Sequence, residues 1–466
     1  MRYAIHKSIL RDIIRLGWPV LVAQIAMMLY AVLDTVMAGR YGQRDLAAVG
    51  IGASIYITVF IALMGVLIAI GPIVSHLFGA KRYAEIGEEV RQTFWLGVLL
   101  AAIPIVVLNN PEPFFKITQA EPAVEELARE YLAIVAWSVP ASLLFRVFHG
   151  FATAISRPRI VMILNLLGLA IKIPLNWIFM YGMLGAPEMG GVGCALATTI
   201  ASWITCILAW GICYASADYR PYGIFARWSW PSWLRIRHVL GIGIPIGFTF
   251  LVDVTAFTFM TLFIARLGTQ ASAAHQIAAN FAALTFMLPL ALGSAVGVLV
   301  GQALGAGDPR RARVAGLLGL VVAMLLAGVV SLTMFLAREG IAGLYSIDPG
   351  VSALAAQLLV FVALYHLVDA VQTVAINVLR GYKRTVVPMI AYTVALWAVG
   401  LGGGYWLGLT TLGREDWAHI GLAEPLGAAG FWIAAIASLA LASVLVVLYF
   451  LAVSRAGRRV ISTPSA

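Results

Sequence analysis

The residues best placed to do chemistry are charges set inside otherwise apolar runs. Asp34, Asp253 and Asp369 are the only three of 21 acidic residues that lie well inside such runs, and Lys172 sits in the middle of another, within Ile171-Lys172-Ile173-Pro174. An ionised aspartate at the centre of a membrane helix costs about 2.5–3.5 kcal/mol on insertion scales, so it normally faces a cavity or a partner. A carboxylate in such a place can bind and release a proton near neutral pH. Alternatively, two carboxylates with carbonyl or hydroxyl oxygens can hold Na⁺, a hard cation, and Asp253 and Asp369 could share one such site. Tyr365, four residues before Asp369, falls on the same helix face and offers a hydroxyl ligand. Each aspartate could instead be structural, Asp34 through Arg40 or Arg44. Lys172 either snorkels to an interface or pairs internally with Asp34. Asn165 and Asn176 flank it, and buried amides there either join the site or merely bridge helices.

The elements that must carry these residues follow from composition. The chain has 466 residues, 62% hydrophobic and 11% charged, with a mean hydropathy of +0.94. Soluble chains carry about 25% charged residues. So few charges cannot cover a water-facing surface, and lipid must be the main solvent. Runs long enough to span a bilayer occur near 14–38, 47–78, 92–109, 130–152, 159–182, 190–213, 237–264, 273–304, 312–336, 350–379, 386–409 and 425–453. They are too long and too uniformly apolar for barrel strands. The expected fold class is therefore an all-α polytopic membrane protein with 12 transmembrane helices. Cys194, Cys206 and Cys213 lie in one apolar run without a CxxC spacing and read as small apolar residues. Pro19, Gln24 and Asp34 interrupt the first run, and no clear cleavage site follows it, which argues against a signal peptide.

With the N-terminus placed inside, 22 of the 31 Lys and Arg residues fall on inner segments and seven on outer ones (Arg40, Arg44, Lys116, Arg129, Arg266, Arg338 and Arg414). Arg146 and Lys172 remain within spans. Cytoplasmic loops attract Lys and Arg, so both termini are expected in the cytoplasm of a bacterial-type inner membrane. The same bias accounts for the net charge of +10 without nucleic acid.

The two halves repeat. An offset of 226 residues carries Gly17-x-Pro19 onto Gly243-x-Pro245, Arg40-x-Gly42 onto Arg266-x-Gly268, Ala47-Ala48 onto Ala273-Ala274 and Gly79-Ala80 onto Gly305-Ala306. A looser match sets His149-Gly150 and Pro158 beside Arg380-Gly381 and Pro388. Six spans per half insert both halves the same way up, as parallel repeats. The expected organisation is an N-terminal six-helix lobe over 1–213, an interfacial linker over 214–236 rich in Arg and Trp, and a C-terminal six-helix lobe over 237–466. Two lobes around a central cleft would suit alternating access. Pro19, Pro174, Pro245 and Pro289 should bend their helices, either as fixed kinks or as moving parts.

Enzyme motifs such as HExxH, GxSxG and Walker A are absent, and His76, His149, His275 and His366 show no metal spacing. An enzyme is not expected, and no cofactor beyond a coupling Na⁺ or H⁺. A flippase for a lipid-linked precursor is the rival reading. It should carry several cavity-facing cations in its first lobe, where only Lys172 and Arg146 lie within spans. A channel would lack ion-dependent exchange.

Several stretches together resemble the multidrug and toxic compound extrusion (MATE) family, in particular its NorM branch, over nearly the whole chain. They are Asp34-Thr-Val-Met-Ala-Gly-Arg40, Pro174-Leu-Asn-Trp-Ile-Phe-Met-Tyr-Gly182 with Gly190-Gly-Val-Gly193, Ala273-Ala-His-Gln-Ile277 with Asn280, and Asp369-Ala-Val-Gln372 followed by Leu379-Arg-Gly-Tyr-Lys383. The resemblance implies efflux of organic cations in exchange for Na⁺ or H⁺, with Asp34, Asp253 and Asp369 at the family's acidic positions on the first, seventh and tenth helices. Asp253 stands where Glu is common. Lys172 replaces a usual Asn and disfavours Na⁺ in the first lobe. His149 replaces a common acidic residue. The cleft for small-molecule cations should be broad and apolar, with Gln24, Met27, Met28, Tyr30, Phe257, Gln276, Asn280 and Met287 as candidates beside Tyr365. Membrane lipid is the other expected partner, and a monomer should suffice.

Overall fold

A computed structural model describes residues 2–118, 120–411 and 424–459, and Arg414 lies outside them. Hydrocarbon offers no partner to a free peptide group, so a lipid-solvated chain must close its hydrogen bonds within each segment. Accordingly, every regular element among the described residues is a helix. The spans are α1 (Arg2–Tyr41), α2 (Gln43–Gly79), α3 (Tyr83–Leu108), α4 (Pro122–Val135 with Ser138–Ala154), α5 (Pro158–Tyr181), α6 (Gly190–Ala215), α7 (Trp233–Ala265), α8 (Thr269–Gly305), α9 (Pro309–Tyr345), α10 (Pro349–Gly381), α11 (Val386–Leu409) and α12 (Ala428–Arg459). Eleven are each long and apolar enough to cross a membrane, and α4 makes the twelfth crossing as two helices bent by 45°. Helix α1 runs unbroken from Arg2 into the first span.

The breaks have local causes. Pro140 cannot donate to the carbonyl of Ala136, and the Ser138 hydroxyl donates to that of Val135 at 2.6 Å, so α4 bends there. In α2 the helix is interrupted between Leu67 and Ile70, where Pro72 has no N–H for the Ile68 carbonyl and the Gly71 amide takes it instead at 3.0 Å. In the second repeat the position of Pro72 is Val298, and α8 runs through without interruption.

Structure and sequence agree on the repeat. Helices α2, α4, α8 and α10 end in the same closure, in which the amides of Arg82, Arg157, Asp308 and Arg384 reach back to the carbonyls of Leu77, Ala152, Ala303 and Leu379 at 2.8–2.9 Å. Lys81, Ser156, Gly307 and Lys383 supply the left-handed residue, with φ from 56° to 74°. Gly150 of α4 lies against Ile70 and Gly71 of α2, and Gly381 of α10 lies against Gly297 and Val300 of α8. Gly71 and Gly297 are themselves 226 residues apart, so one close helix crossing has been duplicated.

The chain divides into two compact units, Trp18–Gly247 and Met1–Gly17 with Phe248–Ala466. The division differs from boundaries at 213 and 237 because the first helix of each repeat begins in the other repeat's unit. Ile9 and Ile13 join the apolar core of the second-repeat unit, and Gly17 lies against Ala295 of α8. Reciprocally, Gly243 and Gly247 of α7 lie against Val66 and Ala62 of α2 in the first-repeat unit. The segment expected as a linker is docked rather than loose. Arg91 of α3 donates to the carbonyls of Gly223 and Ile224, both at 2.8 Å, while Gln92 binds the carbonyl of Trp230 and the amide of Ser232. Trp228, Trp230 and Trp233 remain exposed, as an interfacial segment requires.

A Cβ at position 381 would come 2.7 Å from the Gly297 carbonyl oxygen, whereas one at Gly328 would meet open space. Gly381→Ala should therefore lower the stability of the purified protein by about 1–3 kcal/mol. Gly328→Ala should leave it unchanged or slightly raised, by up to about 1 kcal/mol. Thermal unfolding of the two variants side by side checks this.

Candidate functional site

In the first-repeat unit, α1 and α5 bring three of the expected residues together. Lys172 Nζ donates to Asp34 Oδ2 at 2.7 Å, and Asn176 Nδ2, one helical turn on, donates to Asp34 Oδ1 at 2.8 Å. The ammonium also lies 3.4 Å from the Tyr30 carbonyl and 4.8 Å from the centre of that tyrosine's ring. All three side chains are buried, Lys172 to 1% exposure. Gly168, one turn before Lys172, leaves the space that the Tyr30 hydroxyl fills. The pairing decides between the two readings of Lys172: it does not snorkel. Arg44 is engaged elsewhere, with Glu121 at 3.3 Å. Asn165 only returns a hydrogen bond to the Val161 carbonyl of its own helix. Asn176 Oδ1 has no partner among the described residues.

The second-repeat unit holds the other two aspartates. Asp253 of α7 accepts a hydrogen bond from the Tyr392 hydroxyl of α11 at 2.7 Å. Asp369 of α10 is buried and lies 3.4 Å from the Thr373 hydroxyl. Asp369 stands one helical turn before Thr373, which lines the same pocket as Asp253. Asp253, Gln372, Thr373, Asn377, Arg380 and Tyr392 line one pocket, with Phe250, Phe286 and Leu290 as apolar lining. Arg380 stacks over the Phe250 ring at 5.4 Å and donates to Asn377 Oδ1 at 3.3 Å, so this cavity holds a fixed cation as well as a carboxylate. No cluster of three or more His, Cys, Asp or Glu fit to hold a metal occurs among the described residues. Na⁺ at Asp253 and Asp369 would have to draw further ligands from hydroxyl and carbonyl oxygens.

A second, largely apolar cavity lies in the same unit, lined by Phe257, Met260, Tyr365, Leu396 and Gly400 among others. Tyr365 belongs to it, with its ring edge-on to Phe257 and Trp432. Along its α11 wall the helix widens to π geometry over Ala395–Gly402, a feature frequent at functional sites.

The expected cleft residues are divided between the two units. Phe257 lines the apolar cavity. Gln276 and Asn280 are exposed on α8 and within 3.4 Å of each other. Met287 is half-buried further along α8. Gln24, Met28 and Tyr30 are half-buried on α1, and Met27 is exposed there. Sequence reading missed Thr373, Asn377, Arg380 and Tyr392. The first three were findable: with Tyr365 and Asp369 they stand at spacings of three and four, one polar stripe along α10. Tyr392 carries no such signal.

The sequence profile of the MatE family matches residues 19–178 and 245–406, two segments whose first residues are 226 apart, as in the internal repeat. The probable multidrug resistance protein NorM of Aromatoleum aromaticum is 40% identical over 429 residues, 92% of this chain and 91% of that protein. The multidrug resistance protein MdtK of Yersinia pseudotuberculosis is 35% identical over 439 residues, 94% of each chain. The crystal structure of the Vibrio cholerae MATE transporter VcmN in its bent form shares the fold, with a TM-score of 0.85 over 97% of this chain and 99% of that one at 19% identity.

The Tyr392–Asp253 bond can be tested without assuming any activity. A double-mutant cycle of Tyr392→Phe and Asp253→Asn, read by thermal stability, should give a coupling of about 1–2 kcal/mol. Additive effects would place the two side chains apart.

Proposed function

The chain belongs to the MatE family, and from that premise we propose that it is a multidrug efflux transporter, not an enzyme, which exports organic cations in exchange for inward-moving H⁺ or Na⁺. It works as a single chain in a bacterial-type inner membrane with both termini cytoplasmic, the orientation that the 22-to-seven bias of basic residues favours. The observation that carries the exchange is Asp253 in a polar pocket of a membrane-spanning helix bundle, with Asp369 buried one helical turn before Thr373 of that pocket.

Exporting one positive charge against a negative interior costs about 2.3 kcal/mol per 100 mV. An inward cation offsets that cost. Asp253 and Asp369 are the groups that an incoming proton or Na⁺ neutralises. A cationic cargo seeks the same negative charge, so each occupant weakens the hold on the other, and exchange follows from that reciprocity as the site opens to each side of the membrane in turn. The neighbouring apolar cavity, with Phe257, Met260 and Tyr365, offers surface for the cargo's hydrocarbon body. A lipid-precursor flippase is not favoured. The relatives that this chain matches almost end to end are multidrug resistance proteins, and Lys172 is neutralised by Asp34.

Asp369→Asn should return the drug resistance of an expressing host to the parental level while protein remains in the membrane. In proteoliposomes, a sodium gradient and a pH gradient imposed separately should identify one that drives cargo movement. Transport indifferent to both, or full resistance in the variant, would overturn the proposal.

A further inference from the structure

One charged pair is left without a part in that exchange. Lys172 Nζ lies 2.7 Å from Asp34 Oδ2, and Asn176 takes the other carboxylate oxygen at 2.8 Å. We propose that Lys172 is a tethered cation: its ammonium permanently occupies the cation position on Asp34, so that this carboxylate takes up no external cation while the lysine is present.

Around Nζ stand Asp34 Oδ2, the Tyr30 carbonyl oxygen at 3.4 Å and the face of the Tyr30 ring at 4.8 Å. Asn176, which holds the same carboxylate, keeps a buried Oδ1 without a partner. Carboxylate, carbonyl and amide oxygens are what a small hard cation selects. Here the resident is an ammonium on a four-carbon stem, buried to 1% exposure and anchored to α5. A tethered group competes at a high effective concentration without ever leaving. A sodium ion would have to displace it, which would strand a second positive charge in the same buried place. Pair and site are therefore neutral together, and removing the lysine alone should expose a latent cation site. None of this depends on the transport reading, since the predicted event is binding.

The test uses the purified full chain, with equilibrium binding of radioactive sodium and the sodium dependence of the unfolding midpoint, choline replacing sodium in the control. Asp34→Asn should leave sodium binding as in the parent. Lys172→Asn should gain a saturable sodium site and a midpoint that rises by roughly 2–4 °C or more with saturating sodium. Both gains should vanish in Asp34→Asn/Lys172→Asn. A parent chain that loses bound sodium on Asp34→Asn alone would overturn the proposal, as would a folded Lys172→Asn protein that gains none. The first arm decides even if Lys172→Asn cannot be recovered folded. Failure of exchange in Asp369→Asn is a separate readout, so neither result can stand in for the other.

Discussion

A charge inside hydrocarbon must be answered by a partner or by water, and the layout of this protein depends on how each buried charge is answered. The backbone obeys the same constraint by forming helices throughout the described residues. Side chains obey it in three ways. Asp34 and Lys172 neutralise one another directly. Glu88 and Glu89, buried near the start of α3, take Arg91, Arg227 and Arg235 at 2.6–3.2 Å, and so pin the connecting segment to its own unit. Asp253 faces a pocket and, among the described residues, accepts a side-chain hydrogen bond from the Tyr392 hydroxyl alone. Under the proposed exchange, the last arrangement is the one that offers a carboxyl group to an arriving cation.

The repeat duplicates the scaffold without duplicating the charges. The Gly150–Gly71 and Gly381–Gly297 crossings, and the four matching helix ends, show how faithfully the framework was copied. At the same offset of 226 residues, Asp34 corresponds to Met260 and Asp253 to Met27. The two acids thus sit seven residues, about two turns, apart on equivalent helices. Met260 lines the apolar cavity, so the helix face that carries a carboxylate in one repeat presents a thioether in the other.

Much of this was legible in the sequence. Twelve apolar runs fixed the number of crossings, and the gapless offset exposed the repeat before any helix was placed. The three intramembrane aspartates stood out because an acid among apolar neighbours is costly enough to need a reason. Three things were out of reach for physical reasons. Where α1 and α7 pass from one unit to the other depends on which neighbours their early turns touch, and both stretches read as uninterrupted helix. Tyr392 contributes one hydroxyl from a helix more than a hundred residues from Asp253, with no local spacing to mark it. The choice between a snorkelling and a paired Lys172 turns on a side-chain direction that its own helix leaves open. By contrast, the polar stripe from Asp369 to Arg380 was written at helical spacing and simply passed over.

The asymmetry of charge gives the two units unequal tasks under the proposed exchange. The Asp34–Lys172 pair sums to zero, so its energy changes little whether a cation is present in bulk water or not. As a compact dipole it also contributes little work when the membrane voltage changes, because voltage acts on charge that moves relative to the field. In the second-repeat unit Asp253 shares its pocket with the Arg380 guanidinium, and Asp369 stands one helical turn before Thr373 of the same pocket, so under the proposed exchange the carboxyl groups an arriving cation would meet are here. Both selectivity for cations and sensitivity to voltage should then originate at Asp253 and Asp369. Under that reading the first-repeat unit contributes packing and motion, without an ion of its own to load and discharge in each cycle.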